Sequence, residues 1–203
     1  IKLLILFQSI TADAMECILN FFNFNTIEIP SLDVIGDLFH AANYFGLDSF
    51  YQRVEKQLIH FIKFDTCFRI FQIYKEHKLP SLEPVIKSFI LYSFNEISHT
   101  ICEISDINLL YWYLSHQNLY VENEIDVFNA GCQWLMKHSE NNDDILIILS
   151  CLAYHKIDKT SLESILSHGF VKNNEVAQSV LKGIVHIHET YSLESFLTLE
   201  HEN

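Results

Sequence analysis

Five glycines and three prolines in 203 residues constrain this chain more than any motif in it. Sandwiches and barrels turn often and place glycine and proline at the turns. A chain poor in both is built from long helices joined by short connections. Hydrophobic residues make up 49% and charged residues 19%, so the chain buries a real core and is not a disordered polymer. Sixteen Phe and nine Tyr point to aromatic packing between those helices.

The periodicity agrees. Ile1 to Phe7 reads as a strand, Ala12 to Asn23 as a short helix, and Thr26 to Ile29 as a second strand closed by Pro30. Beyond that the pattern is helical nearly to the end. Val34, Ile35, Leu38, Phe39, Ala42 and Phe45 line one face, and Gly46 supplies the stop. Asp48 is placed to cap the next helix, whose inner face is Tyr51, Val54, Leu58, Phe61 and Ile62. Asp65 is placed to cap another, with Phe68, Phe71 and Tyr74 inward. After a turn at Leu79-Pro80-Ser81, Ser81 is the expected cap of a helix using Leu82, Val85, Ile86, Phe89 and Ile90. Asp106 to Leu114 follows. Three further helices are expected around 145–152, 161–166 and 174–188, the last with Val176, Val180, Ile184 and Ile187 on one side. Short turns between helices of this length predict antiparallel hairpins.

The stretch Ile125 to Leu135, "IDVFNAGCQWL", combines a cysteine, a glycine and a tryptophan. Asn123 is the expected N-cap, with Glu124 and Asp126 favourable at the positive helix start. Ile125, Phe128, Cys132 and Leu135 then fall on one stripe, flanked by Val127, Gly131 and Trp134. Cys132 sits in the middle of that stripe, where a thiol acts as a small hydrophobe. Gly131 costs the helix about 1 kcal/mol relative to alanine. It marks a place where another helix comes close. Phe128, Cys132, Trp134 and Leu135 are thus read as core.

The formal charge is −13, with a pI near 5.1. Such a field repels a phosphate backbone, so no nucleic-acid partner is expected, and the acidic surface suits basic protein patches instead. The run "ENNDD" at 140–144 reads as a solvated loop. Five widely spaced cysteines, at 17, 67, 102, 132 and 151, suit a reducing compartment rather than a disulfide framework. Cytoplasmic localisation is expected, with the nucleus as the other compartment. No apolar run reaches the ~20 residues that span a bilayer, so no membrane partner is expected.

No catalytic constellation can be assembled. There is no Cys-x-x-Cys pair, and His186 and His188, two residues apart on a helix, point to different sides. His99 and Cys102 have helical spacing but lack two further ligands. No Gly-x-Ser-x-Gly elbow is present, and the glycines at 36, 46, 131, 169 and 183 are too dispersed to cradle a phosphate. No metal, cofactor or enzymatic activity is expected.

Two stretches carry a family resemblance. "DAMECILNFFNFNTIEI" followed by "VIGDLFHAANYFGLDSFYQRVEKQLIHFI" resembles the C-terminal half of a BTB (POZ) domain, through Ala14-Met15-Glu16, Phe21, Ile27–Ile29, Ala41-Ala42-Asn43-Tyr44, Leu47 and Asp48. "TCFRIFQIYKEHKLPSLEPVIKSFILYSFNEIS" and "NLYVENEIDVFNAGCQWLMKH" resemble the first hairpin and the core of a BACK domain, the latter through Leu119, Val121, Glu124, Val127, Phe128 and Trp134. This is the order found in Kelch-like proteins. The fold implied is mainly α: a remnant of the α/β BTB fold over 1–62, a BACK array of antiparallel hairpins over 63–188 whose first hairpin, at 65–97, is cullin-proximal, and a tail at 189–203.

The resemblance implies an adaptor that dimerises through the BTB domain, binds a cullin and presents a substrate protein to a ubiquitin ligase. Asn23, Phe24, Tyr44, Phe45 and Asp48 are the cullin-contact residues it suggests. On the same resemblance the chain begins in mid-BTB, without the half that carries the main dimer surface and a hydrophobic-x-Glu motif. The family's Tyr-Thr-Gly is here Asn23-Phe24-Asn25, its Val-Arg-x-Pro is Leu152-Ala153-Tyr154-His155, and no Kelch repeat follows. Those departures leave room for a second function, an oligomerising scaffold in cytoskeletal or transcriptional assemblies without ligase activity.

Overall fold

A computed structural model of the chain describes residues 10–139 and 141–200, with the backbone alone for 189 and 191–200. Among these residues there are helices and turns and no strand. The expected strand Ile1 to Phe7 lies outside the described residues. The chain divides into two compact units, Ile1–Ile90 and Leu91–Asn203.

The first unit contains α1 (Ala12–Phe24), α2 (Ile35–Phe45), α3 (Asp48–Leu58) and α4 (Cys67–His77), and α5 (Glu83–Tyr92) closes it. The Thr11 hydroxyl caps α1 by accepting from the Ala14 N–H. A short 3-10 turn, Leu32–Val34, leads into α2, and Gly46 ends α2 at φ 67°, a left-handed position that suits glycine. The core is formed by Ala14, Cys17, Ile18, Leu38, Phe39, Phe50, Val54, Leu58, Phe68, Phe71 and Ile86, all buried. The inward faces read from the sequence are thus found, except that Phe45 and Val85 are exposed.

Several local expectations are corrected. Thr26 to Ile29 has no ladder partner among the described residues and is not a strand. Side chains hold its backbone instead: Arg53, Cys17 and Gln57 donate to the carbonyls of Asn25, Glu28 and Ile27. Asp48 is the first helical residue of α3, with Leu47 before it and no side-chain cap. Asp65 does not cap α4, which starts two residues later. Thr66 braces that entry by donating to the Phe61 carbonyl at 2.6 Å and accepting from the Lys63 N–H at 3.2 Å.

Ser81 does not cap α5 either. The buried Glu55 carboxylate, arriving from α3, accepts from the Ser81 N–H at 2.7 Å and the Leu82 N–H at 3.3 Å. It satisfies two of the donors that a helix start leaves open. Local cap rules did not reveal this, because the cap lies 26 residues away in sequence.

The second unit contains α6 (Phe94–Ile97), α7 (Ile107–Leu114), α8 (Glu124–His138), α9 (Asp144–Cys151), α10 (Lys159–Ser167), α11 (Gly169–Lys172) and α12 (Glu175–Glu200). Asp106 caps α7 and Asp158 caps α10 through their carboxylates. Asn174 caps α12 by accepting from the Ala177 N–H at 2.9 Å while donating to the Asn142 carbonyl. Asn123 precedes α8 but makes no side-chain cap bond. The buried side of α12 is Ala177 and Leu181. Of the apolar row Val176, Val180, Ile184 and Ile187, Ile184 is half-buried and the other three are exposed.

Candidate interaction surface and the seam of the second unit

In the first unit, the Thr11 N–H donates to Asp37 at 3.2 Å, so the start of α1 lies beside the first turn of α2. At its other end, Phe21 packs edge-on against Phe50 at 5.1 Å, and Arg53 lies over the Phe21 ring at 5.5 Å while bonding the Asn25 carbonyl. Phe50 sits in the first turn of α3, which follows α2 through the Gly46 turn. The ends of α1 and α2 and the start of α3 therefore lie together.

Asn23, Phe24, Tyr44, Phe45 and Asp48 all belong to that end, and all five are exposed. Phe24 is 71% exposed, Tyr44 43% and Phe45 39%, and the Tyr44 and Phe45 rings meet edge-to-face at 5.2 Å. Sequence reasoning missed Leu19 and Phe22, which are also exposed on α1. The signal was present: α1 is apolar on both sides, with Ala14, Cys17 and Ile18 buried and Met15, Leu19 and Phe22 at the same spacing on the other face. An exposed apolar and aromatic patch of this kind suits a protein partner.

Near this end, burial pushes the Cys17 thiol above its usual range, with the Glu16 and Asp13 charges adding to the effect. The thiol donates to the Glu28 carbonyl. Burial raises the Tyr51 phenol as well, and its hydroxyl donates to the His77 carbonyl at 2.9 Å. Both groups are engaged in holding backbone carbonyls.

The second unit is organised around α8. Val127, Phe128, Ala130, Gly131, Cys132, Trp134 and Leu135 are all buried. The Trp134 indole donates to the Ile104 carbonyl at 2.7 Å and its ring stacks on His138 at 4.9 Å. A Cβ placed on Gly131 would stand 2.5 Å from Cγ2 of Ile148, so the Ile148 side chain of α9 packs directly on the α8 backbone there. Cys132 lies 3.9 Å from the His168 ring nitrogen, and His168 meets the Phe128 ring edge-on. Burial pushes the Cys132 thiol up to about 12, so it is a neutral thiol at pH 7 and no nucleophile.

A second buried glutamate works as Glu55 does. Glu124 accepts from the Ala153 N–H at 2.7 Å and so ties the start of α8 to the segment after α9. That segment includes Leu152-Ala153-Tyr154-His155, where the Tyr154 hydroxyl donates to the Leu149 carbonyl. Among the described residues no group of His, Cys, Asp or Glu has the geometry to hold a metal ion. His186 and His99 are exposed, and Cys102 is half-buried. No helix among the described residues is long and apolar enough to cross a membrane.

The described residues form a mainly helical array with buried aromatic seams and several exposed aromatic side chains. Residues 67–167 match the family described as BACK, "BTB And C-terminal Kelch". That match, over just under half of the chain, supports a likeness to the BACK part of Kelch-like proteins. Over 175 residues the chain is 26% identical to Kelch-like protein 40 of Xenopus laevis, an alignment covering 83% of this chain and 28% of that protein. The chain thus spans little more than a quarter of the relative it matches.

Proposed function

We propose that this chain is the adaptor part of a cullin-RING ubiquitin ligase substrate receptor, acting by binding and not by catalysis. The observation that carries the reading is the exposure of Phe24, Tyr44 and Phe45, with Asn23 and Asp48, on helix ends at one end of the first unit. Exposed aromatics grouped on rigid helix ends are what interface anchors look like. They occupy the positions that the BTB resemblance assigns to the cullin. The BACK domain serves as a spacer: buried α8 and the buried Glu124, which ties the start of α8 to the Ala153 N–H, give it internal rigidity. Its other partners are a substrate protein and a second copy joined through a complete BTB domain, and its compartment is the cytoplasm or the nucleus.

The departure at Asn23-Phe24-Asn25 favours a second reading, an oligomerising BTB-BACK scaffold of cytoskeletal or transcriptional assemblies. Calorimetric titration with the N-terminal domain of a cullin separates the two. Saturable heat that falls in a Phe24→Ala/Tyr44→Ala variant supports the adaptor. No heat from the chain joined to an intact BTB domain, with self-association by light scattering, supports the scaffold.

A further inference from the structure

Cations are scarce on this chain, 13 Lys and Arg against 26 Asp and Glu, yet Lys75, Lys78 and Lys87 gather on the hairpin of α4 and α5. Lys75 and Lys78 line an open cavity of about 330 Å³ with Tyr74, Pro80 and Glu83. Lys87 stands at its edge, its ammonium 5.8 Å from the centre of the Tyr74 ring and paired with the Glu83 carboxylate. That pair is neutral. Among the described residues neither Lys75 nor Lys78 makes an ion pair, so two positive charges remain in excess.

The backbone supplies an independent observation. Lys78 ends α4 at φ 53° and ψ 60°, with its N–H bonded to the Tyr74 carbonyl. That left-handed position favours glycine, or asparagine as at Asn25, because a Cβ crowds the backbone carbonyl there and asparagine offsets the cost by local hydrogen bonding. A lysine is the wrong residue for the turn and the right one for the cavity.

We propose that this cavity binds a phosphorylated serine or threonine of a partner protein. A phosphomonoester carries about −1.5 to −2 charges at pH 7, which matches the excess, whereas one carboxylate would leave a lysine uncompensated. Lysine serves phosphate as a compact point charge, with no need for a planar fork. Pro80 gives the cavity a stiff wall, and buried Tyr74 fixes the ring against which Lys87 lies. The site shares no residue with the exposed aromatic group.

The test titrates the full, nitrogen-15-labelled chain and follows the backbone amide signals of Lys75, Lys78 and Leu79. The probes are a short peptide with phosphoserine flanked by glycines, its unphosphorylated twin, its glutamate version and inorganic phosphate. Saturable shifts with the phosphopeptide, weaker by roughly tenfold in both Lys78→Gly and Lys75→Gln, are expected for the loss of one charge-assisted contact. Lys78→Gly relieves the backbone, so its thermal melt stays at or above that of the parent. No saturable shift, equal binding of the unphosphorylated or glutamate peptide, unchanged binding in either variant, or inorganic phosphate binding as tightly as the peptide would overturn the proposal.

Discussion

Gly131 and Ile148 face each other with no room for a methyl group between them: an added Cβ would lie 2.5 Å from one Ile148 carbon and 2.9 Å from another. Ile148 is fully buried, so it has nowhere to retreat. Alanine usually gains a helix about 1 kcal/mol over glycine. Here overpacking, which costs about 1–3 kcal/mol, opposes that gain. Gly131→Ala is expected to destabilise the chain by about 1 kcal/mol or more in urea unfolding. Gly36 has open space around it, and Gly36→Ala should be neutral or stabilising.

Glu55 is expected to matter more than any exposed carboxylate. Glu55→Ala leaves the Ser81 and Leu82 N–H groups without their acceptor inside the protein, a loss of about 1–3 kcal/mol. Glu55→Gln keeps an oxygen in place and should recover part of it. Denaturant midpoints of the two variants check this, and equal midpoints would show that the carboxylate does not hold α5.

Trp134→Phe keeps most of the packing but removes the donor to the Ile104 carbonyl. A buried acceptor left unmatched costs about 1–3 kcal/mol. The thermal midpoint of Trp134→Phe should therefore fall, while Trp112→Phe, at a half-buried site, should shift it less.

Alkaline pH should weaken the second unit. Burial raises the Cys132 and Cys151 thiols from an ordinary 9.0 to about 12, and the Tyr154 phenol from 10.0 to about 12. A raised pKa means that the folded state holds protons the unfolded state has lost. The stability from these groups is complete below about pH 9 and is lost as pH rises toward 12. Unfolding free energy measured between pH 8 and pH 11 should fall. The fall should shrink in Cys132→Ala/Cys151→Ala, compared with that variant's own value at pH 8.

Helix placement was legible because apolar spacing fixes it: the inner faces of α4 and α8 came out as read, and that of α2 did so except at Phe45. The close approach at Gly131 was also legible, since a glycine in an apolar stripe has few other uses. Caps were less so. Glu55 and Glu124 bond backbone 26 and 29 residues away, and no local rule links such positions. The exposure of Val176, Val180 and Ile187 was hidden because periodicity shows that a stripe exists, not which side of the helix is covered. The five residues assigned to the cullin were suggested by resemblance, and their gathering at one end of the first unit depends on Phe21 meeting Phe50.

Burial assigns the stripe around Cys132 to joining helices. Timed alkylation of the native chain at pH 8, read cysteine by cysteine by mass spectrometry, tests that most directly. Half-buried Cys102 should react first, with Cys132 and Cys151 protected until denaturant unfolds the chain. Rapid modification of Cys132 in the folded protein, ahead of Cys102, would contradict it.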